Sequence, residues 1–138
     1  MPSPAPGLAP HSYTPFTPPL ATAPLVAREF VGTVLRSLGL THLADTARLC
    51  TCELVTNTYR HAGGVGSLTW LAVEDELIRI SVYDGSPEIP VTRTPDTATD
   101  TGRGLLLVAE LADKWGVELG CPLGLGGSGK GVWFECGL

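Results

Sequence analysis

Two runs of alternating side chains, separated by an acidic turn, constrain the fold of this chain most strongly. The first run is SLTWLAVED (67–75) and the second is LIRISVYDG (77–85), with Asp75-Glu76 between them. The second run alternates as follows: Ile78, Ile80 and Val82 on one face, Arg79, Ser81 and Tyr83 on the other. Because a period of two places one face of a strand against a core, the pattern predicts a β-hairpin.

Two amphipathic helices are predicted before this hairpin. The segment LVAREFVGTVLRSLG (25–39) has apolar residues at every fourth position: Val26, Phe30, Val34 and Leu38. Gly39 suits the residue just beyond a helix end, and Thr41 suits the cap of a second helix. The apolar stripe of that second helix consists of Leu43, Ala47, Cys50 and Leu54, and the helix is expected to end near residues 63–64.

The rest of the chain completes a mixed α and β pattern. A loop rich in Pro, Thr and Asp (86–101) precedes the helical segment GRGLLLVAELADKWG, and GVELG and GVWFECGL are expected strands. Helices in two blocks around paired strands favour an α+β fold. We expect a two-layer sandwich with a mixed, mostly antiparallel sheet covered on one face by helices.

Composition divides the chain into a tail and one domain. Residues 1–24 are dense in proline, which removes hydrogen-bond donors and fixes φ, so a disordered tail is predicted there. Residues 25–138 are expected to form a single domain, as the length of 138 residues also suggests.

Charge and hydropathy exclude several classes of protein. A net charge of −5 disfavours a nucleic-acid-binding protein that works through a broad basic face. The chain has no stretch of about 18 apolar residues and no signal-peptide pattern at its start, so a cytoplasmic protein without membrane spans is expected. Its 4 cysteines are interpreted as free thiols, since Cys50-x-Cys52 has no second close pair or His cluster to complete a zinc site.

Polar residues, whose burial costs free energy, lie on the second helix beside its apolar stripe. Glu53 and Asn57 are four apart and therefore project from similar sides of the helix, and Arg60 and His61 extend this edge. A carboxylate and an amide oxygen placed in this way could orient a water molecule and bind Mg²⁺. The alternative is an ordinary solvated helix flank.

Two glycine-containing motifs follow. Asp84-Gly85 ends the second strand of the hairpin, where it is either a turn or a carboxylate that accepts a hydrogen bond from an exocyclic amine. Gly102-Arg103-Gly104 precedes a helix, whose first N–H groups and dipole attract phosphate. The segment GLGGSGK (124–130) matches part of a P-loop, but the next residue is Gly131 instead of Ser or Thr and a strand is expected to follow, so we interpret it as a hairpin turn.

Taken together and in order, these motifs resemble the GHKL ATP-binding fold of histidine kinases and gyrase. The resemblance covers roughly residues 25–138, and its specific parts are ELVTNTYRHA and DGSPEIP…TGRGLLLV. The chain is most similar to small stand-alone anti-sigma-factor serine kinases and their ATP-binding regulatory relatives.

The resemblance implies a role for each matching residue. Glu53 corresponds to the acid that orients or deprotonates the attacking group, Asn57 to the Mg²⁺ ligand, and His61 to a histidine that is either structural or near the phosphates. The remaining residues implied to contact ATP are Asp84 and Gly85 at adenine, and Gly102, Arg103, Gly104 and Leu105 at the phosphate lid, where Arg103 would meet either a phosphate or a partner protein. The family often has Thr in its last strand, near the adenine aspartate, and Gly131 is the matching position here. The missing hydroxyl is expected to weaken ATP binding by about 1 kcal/mol.

The implied function is ATP-dependent regulation of transcription. A serine/threonine kinase would phosphorylate or sequester a partner, either a sigma factor or an anti-anti-sigma-like protein, with ATP and Mg²⁺ as cofactors. The alternatives are a non-catalytic nucleotide-binding regulator and a degenerate scaffold. A homodimer is also expected, by analogy with such proteins.

Overall fold

The computed structural model describes residues 10–61, 66–84, 100–119 and 130–138. Within these residues the chain forms three helices and one six-stranded sheet. The helices are α1 (Ala23–Ser37), α2 (Thr41–His61) and α3 (Asp100–Leu111). The strands are β1 (His11–Tyr13), β2 (Phe16–Thr17), β3 (Ser67–Val73), β4 (Leu77–Asp84), β5 (Lys114–Leu119) and β6 (Lys130–Gly137).

The sheet is antiparallel at every pairing between the described strands. Its order is β1-β3-β4-β6-β5, and β2 also pairs with β3. The predicted hairpin is confirmed as β3–β4, with Leu68 opposite Tyr83 and Val73 opposite Ile78. The Glu74 N–H donates to the Leu77 carbonyl at 2.9 Å and closes the turn. The predicted α+β class with a mostly antiparallel sheet is therefore confirmed.

The helices bury one face of this sheet. The alternating side chains of β4 and β6 that point toward the helices, including Ile78, Ile80 and Phe134, are fully buried. Ala47, Cys50 and Leu54 of α2 pack in the same core, so the stripe predicted for this helix is confirmed there, and Leu43 is partly buried against it. No helix in the described ranges is long and apolar enough to cross a membrane.

The stripe predicted for α1 is wrong at its start. Val26 is 55% exposed, whereas Ala23, Ala27 and Val31 are buried. The helix is rotated because its small residues let it approach α2 closely, and a methyl group on Gly32 would lie only 2.6 Å from Cδ of Arg48. The predicted helix end is confirmed, since Gly39 has a φ of 77°.

The prediction of a disordered tail up to residue 24 does not hold for residues 10–24. These residues contain β1, β2 and the first turn of α1. The Pro15 carbonyl accepts a hydrogen bond from the Thr69 N–H at 3.0 Å. Proline is tolerated here because β1 and β2 lie at the sheet edge, where few N–H groups are needed for pairing. Residues 1–9 of the predicted tail lie outside the described ranges.

The cysteine prediction is confirmed for the three described residues. Cys50, Cys52 and Cys136 are free thiols, and Cys50 and Cys136 are buried. Burial raises the pKa of the Cys50 thiol to about 12, with smaller contributions from nearby Cys136 and Glu53. Cys50 therefore remains a neutral thiol at physiological pH and serves as a small apolar core residue.

The sheet face opposite the helices carries aromatic and charged side chains. The Arg79 guanidinium lies 4.1 Å from the centre of the Trp133 ring and forms an ion pair with Glu135 at 3.3 Å. Tyr83 donates its hydroxyl hydrogen to Glu118 at 2.8 Å, and its ring covers Gly131 on the paired strand. A methyl group on Gly131 would overlap that ring, at 2.5 Å from Cδ1.

We therefore predict that Gly131→Ala destabilises the protein by about 1–3 kcal/mol, because the buried Tyr83 ring has to shift. Gly137→Ala in the same strand is the matched control, since the nearest atom to a methyl group there is Oδ2 of Asp113 at 3.4 Å. The control is expected to change stability by less than about 0.5 kcal/mol. Urea denaturation measures both values, and equal losses would contradict the proposed ring contact.

Candidate functional site

Helix α2 presents Glu53 and Asn57 toward α3 at the point where α3 comes closest. Both side chains are partly buried. A methyl group on Gly104 would lie 3.0 Å from Oε2 of Glu53 and 3.5 Å from Nδ2 of Asn57. Only a residue without a side chain leaves these two polar groups undisturbed at such a close approach. Three of the predicted site residues are thus brought together.

The start of α3 differs from the prediction. The helix begins at Asp100, so Gly102, Arg103 and Gly104 lie inside its first turns instead of preceding it. Gly102 and Arg103 thus lie among the first described residues of α3, and their binding of phosphate stays a prediction. Gly104 lies at the close approach of α3 to α2.

Three further residues of the predicted site are Leu105, His61 and Gly85. Leu105 is fully buried in the core, so we assign its side chain to packing. His61 is the last residue of α2, one turn beyond Asn57. Gly85 lies outside the described residues.

Asp84 ends β4 with its carboxylate buried against a lysine. The residue is 4% exposed, and Lys130, directly opposite it at the start of β6, is 8% exposed. The lysine ammonium lies 3.2 Å from Oδ1 and 3.1 Å from Oδ2 of Asp84. A carboxylate at the core end of a strand is costly without such a partner, because burial removes its hydration.

A hydroxyl group of α2 connects Asp84 to the residues on that helix. Oγ1 of Thr58 lies 3.4 Å from Oδ2 of Asp84 and 3.2 Å from the Leu54 carbonyl oxygen. Thr58 directly follows Asn57 in the sequence. Thr58 thus joins the end of β4, which carries the carboxylate predicted to bind a base, to the helix that carries the amide predicted to bind a metal.

The sheet places two further buried polar side chains, Ser67 and Thr17, on the other side of Asp84. The register that pairs Leu68 with Tyr83 places Ser67 next to Asp84 on the core face. The hydroxyl groups of Ser67 and Thr17 are 2.8 Å apart and both residues are buried. The buried ion pair distinguishes this end of the sheet, and buried polar groups that converge on one point are typical of a region that binds a polar ligand.

Gly131 lies on the opposite face of the sheet from Asp84. It pairs with Tyr83, whose ring covers it. The residue of β6 that shares the face of Asp84 is Lys130. The expectation that Gly131 stands next to Asp84 is therefore wrong, and the group next to Asp84 is the ammonium of Lys130.

The position of Lys130 also argues against the P-loop that the sequence partly matches. It is the first residue of strand β6, and the helix that a P-loop requires does not follow it. Its ammonium binds the Asp84 carboxylate, at the site suggested by the other motifs.

Sequence reasoning missed the roles of Thr58 and Lys130. Thr58 lies four residues after Leu54 on the core-facing side of α2, so the helical repeat of this segment predicts that it faces the sheet. Lys130 could be placed opposite Asp84 only through the register of β4 and β6, which depends on where β6 begins. The position of Lys130 therefore does not follow from local sequence alone.

The donor set at the phosphate end fits a nucleotide and Mg²⁺. Magnesium binds oxygen ligands and is commonly held by one or two protein groups together with substrate phosphates. Asn57 can supply an amide oxygen and Glu53 a carboxylate, both beside α3 at Gly104. Within the described residues, no cluster of three or more His, Cys, Asp or Glu forms a metal site made of protein ligands alone.

Comparisons with known proteins leave the family assignment as a prediction from motifs. No protein-family model matches the chain, and no curated protein matches it significantly. The functional interpretation therefore depends on the geometry of the cleft and on the ordered motifs in the sequence.

We predict strong energetic coupling between Asp84 and Lys130. Removing one member of a buried pair strands the other charge and typically costs about 3–5 kcal/mol. Asp84→Asn and Lys130→Met are each expected to destabilise the protein, and the double variant is expected to lose less than the sum, with a coupling of about 1–3 kcal/mol.

The matched control is the exposed ion pair between Arg48 and Glu29, whose closest atoms lie 3.0 Å apart. An exposed pair of this kind typically contributes about 0.2–1 kcal/mol. Urea unfolding of both double-mutant cycles gives the comparison. Additive losses at Asp84 and Lys130 would show that the two charges do not interact in solution.

Proposed function

We propose that this chain is a cytoplasmic ATP-binding regulatory protein with the GHKL fold, of the anti-sigma-factor serine/threonine kinase type. It binds Mg·ATP in the cleft formed by α2, α3 and the ends of β4 and β6. The observation that supports this most directly is the contact of Gly104 with Glu53 and Asn57, because it joins two separate sequence motifs at one point.

The order of chemical groups along the cleft also supports nucleotide binding. The N–H groups at the start of α3 and the polar pair on α2 suit phosphates and a metal at one end. At the other end, the buried carboxylate of Asp84 suits an exocyclic amine of a base. Thr58 connects the two ends, since it contacts Asp84 and adjoins Asn57.

The residues at the phosphate end define a mechanism for phosphoryl transfer. Magnesium, when bound, would neutralise charge on the phosphates. The Asn57 amide oxygen would hold the metal, and the α3 N–H groups would orient the terminal phosphate. The Glu53 carboxylate would accept the proton of a partner's serine hydroxyl. The serine oxygen would then bond to the terminal phosphorus as the bond from that phosphorus to ADP breaks, and ADP would leave. The partner would be a sigma factor or an anti-anti-sigma-like protein.

One observation favours a second candidate, a nucleotide-binding or scaffold regulator without catalysis. Lys130 is bound to both oxygens of Asp84, the group through which the base would be recognised. If this pair stays closed, the chain would sequester its partner without turnover of ATP. Glu53 and Asn57 would then contribute only to the α2–α3 contact.

We predict that Glu53→Gln retains ATP binding and loses phosphoryl transfer to a serine-containing partner by about a hundredfold or more, because the amide cannot accept the proton. Isothermal titration calorimetry measures binding, and phosphoserine formation measures transfer. Glu110→Gln is the matched control, since Glu110 is an exposed carboxylate on α3.

The same assays test whether Asn57 binds the magnesium ion. Asn57→Ala is expected to remove most of the difference in ATP affinity between solutions with and without Mg²⁺. ATP binding by the unmodified protein without any phosphoserine formation would contradict the kinase mechanism. It would leave the non-catalytic regulator as the better account.

A further inference from the structure

We propose that Lys130 sets the nucleotide affinity of this cleft by competing with the base for the Asp84 carboxylate. The inference rests on the proposed function, because it names the residue that controls the base end of the same cleft. Asp84 takes part in both nucleotide binding and the competition with Lys130, so both proposals can be tested on one protein.

The geometry of the pair places the ammonium where a base amine would bind. Nζ of Lys130 lies 3.2 Å from Oδ1 and 3.1 Å from Oδ2, so it faces both oxygens at once. Oγ1 of Thr58 lies 3.4 Å from Oδ2. A carboxylate has about four lone-pair directions, and the described contacts on Asp84 engage both of its oxygens.

The fold holds the lysine in this position. Asp84 and Lys130 are direct cross-strand partners in the antiparallel pair of β4 and β6. Side chains at such positions start about 4.5–5.5 Å apart at Cβ and project to the same face. Both residues are almost completely buried, so water does not readily replace either partner.

The chemistry of the two groups makes their interaction competitive. A lysine ammonium has three N–H donors and no acceptor. The exocyclic amine of adenine is also a donor, so both require the same carboxylate oxygens. For the base to bind, Lys130 has to release at least one oxygen, and its flexible four-carbon stem allows the ammonium to move away.

The first experiment measures ADP binding to Lys130→Gln by calorimetry. The glutamine amide can still donate one hydrogen bond to Asp84 but carries no charge. We expect ADP affinity to rise by about tenfold to a hundredfold, the equivalent of one charged hydrogen bond. Lys114→Gln is the control, because Lys114 is exposed on β5 and is the other lysine of the chain.

A second experiment uses the unmodified protein and so does not depend on a variant that folds. An amine-acetylating reagent is expected to modify buried Lys130 slowly and exposed Lys114 quickly, as measured by peptide mass spectrometry. Saturating ADP is expected to speed the modification of Lys130 and leave that of Lys114 unchanged, because the bound base displaces the ammonium.

The outcomes separate this inference from the proposed function. If ADP binds the unmodified protein and Lys130→Gln weakens that binding, Lys130 is a ligand contact and the competition is refuted, while nucleotide binding stands. ADP binding without faster modification of Lys130 also refutes the competition. If ADP binds neither protein, the proposed function fails and the competition fails with it.

Discussion

Helix α2 is the element on which both the fold and the site depend, because it packs against α1, α3 and the sheet. Its apolar residues, including Ala47, Cys50 and Leu54, lie in the core. Its partly buried polar residues Glu53 and Asn57 lie against Gly104 of α3. A helix in such a position can carry polar groups beside the core only where a neighbouring backbone or a ligand covers them.

Much of the architecture could be predicted from side-chain periodicity. The hairpin of β3 and β4, helix α2 and the α+β class follow from repeats of two and about four residues. The helix end at Gly39 follows from the need for positive φ. These features are local, so a single stretch of sequence contains the information that determines them.

Features that depend on distant contacts were predicted less well. The core face of α1 is set by small residues, such as Gly32, that approach α2, whereas the prediction gave weight to large apolar residues such as Val26. Strands β1 and β2 were missed because proline composition favours disorder, while pairing with β3 is a tertiary effect.

The same distinction applies to the candidate site. Glu53, Asn57 and Gly104 could be predicted as neighbours from the order of motifs, and the structure brings them together. The partner of Asp84 could not be predicted, because a shift of one residue in the register of β6 exchanges Lys130 for Gly131 on the core face. That register decides whether the carboxylate meets an ammonium or an empty position.

The central claim is that a nucleotide binds with its base at Asp84 and its phosphates beside Asn57 and the start of α3. A crystal structure of the protein grown with Mg²⁺ and a non-hydrolysable ATP analogue tests this most directly. The account predicts the base amine about 2.7–3.2 Å from the Asp84 carboxylate, with the metal at the Asn57 amide oxygen. An analogue bound elsewhere on the protein, or a cleft that stays empty at saturating analogue, would contradict it.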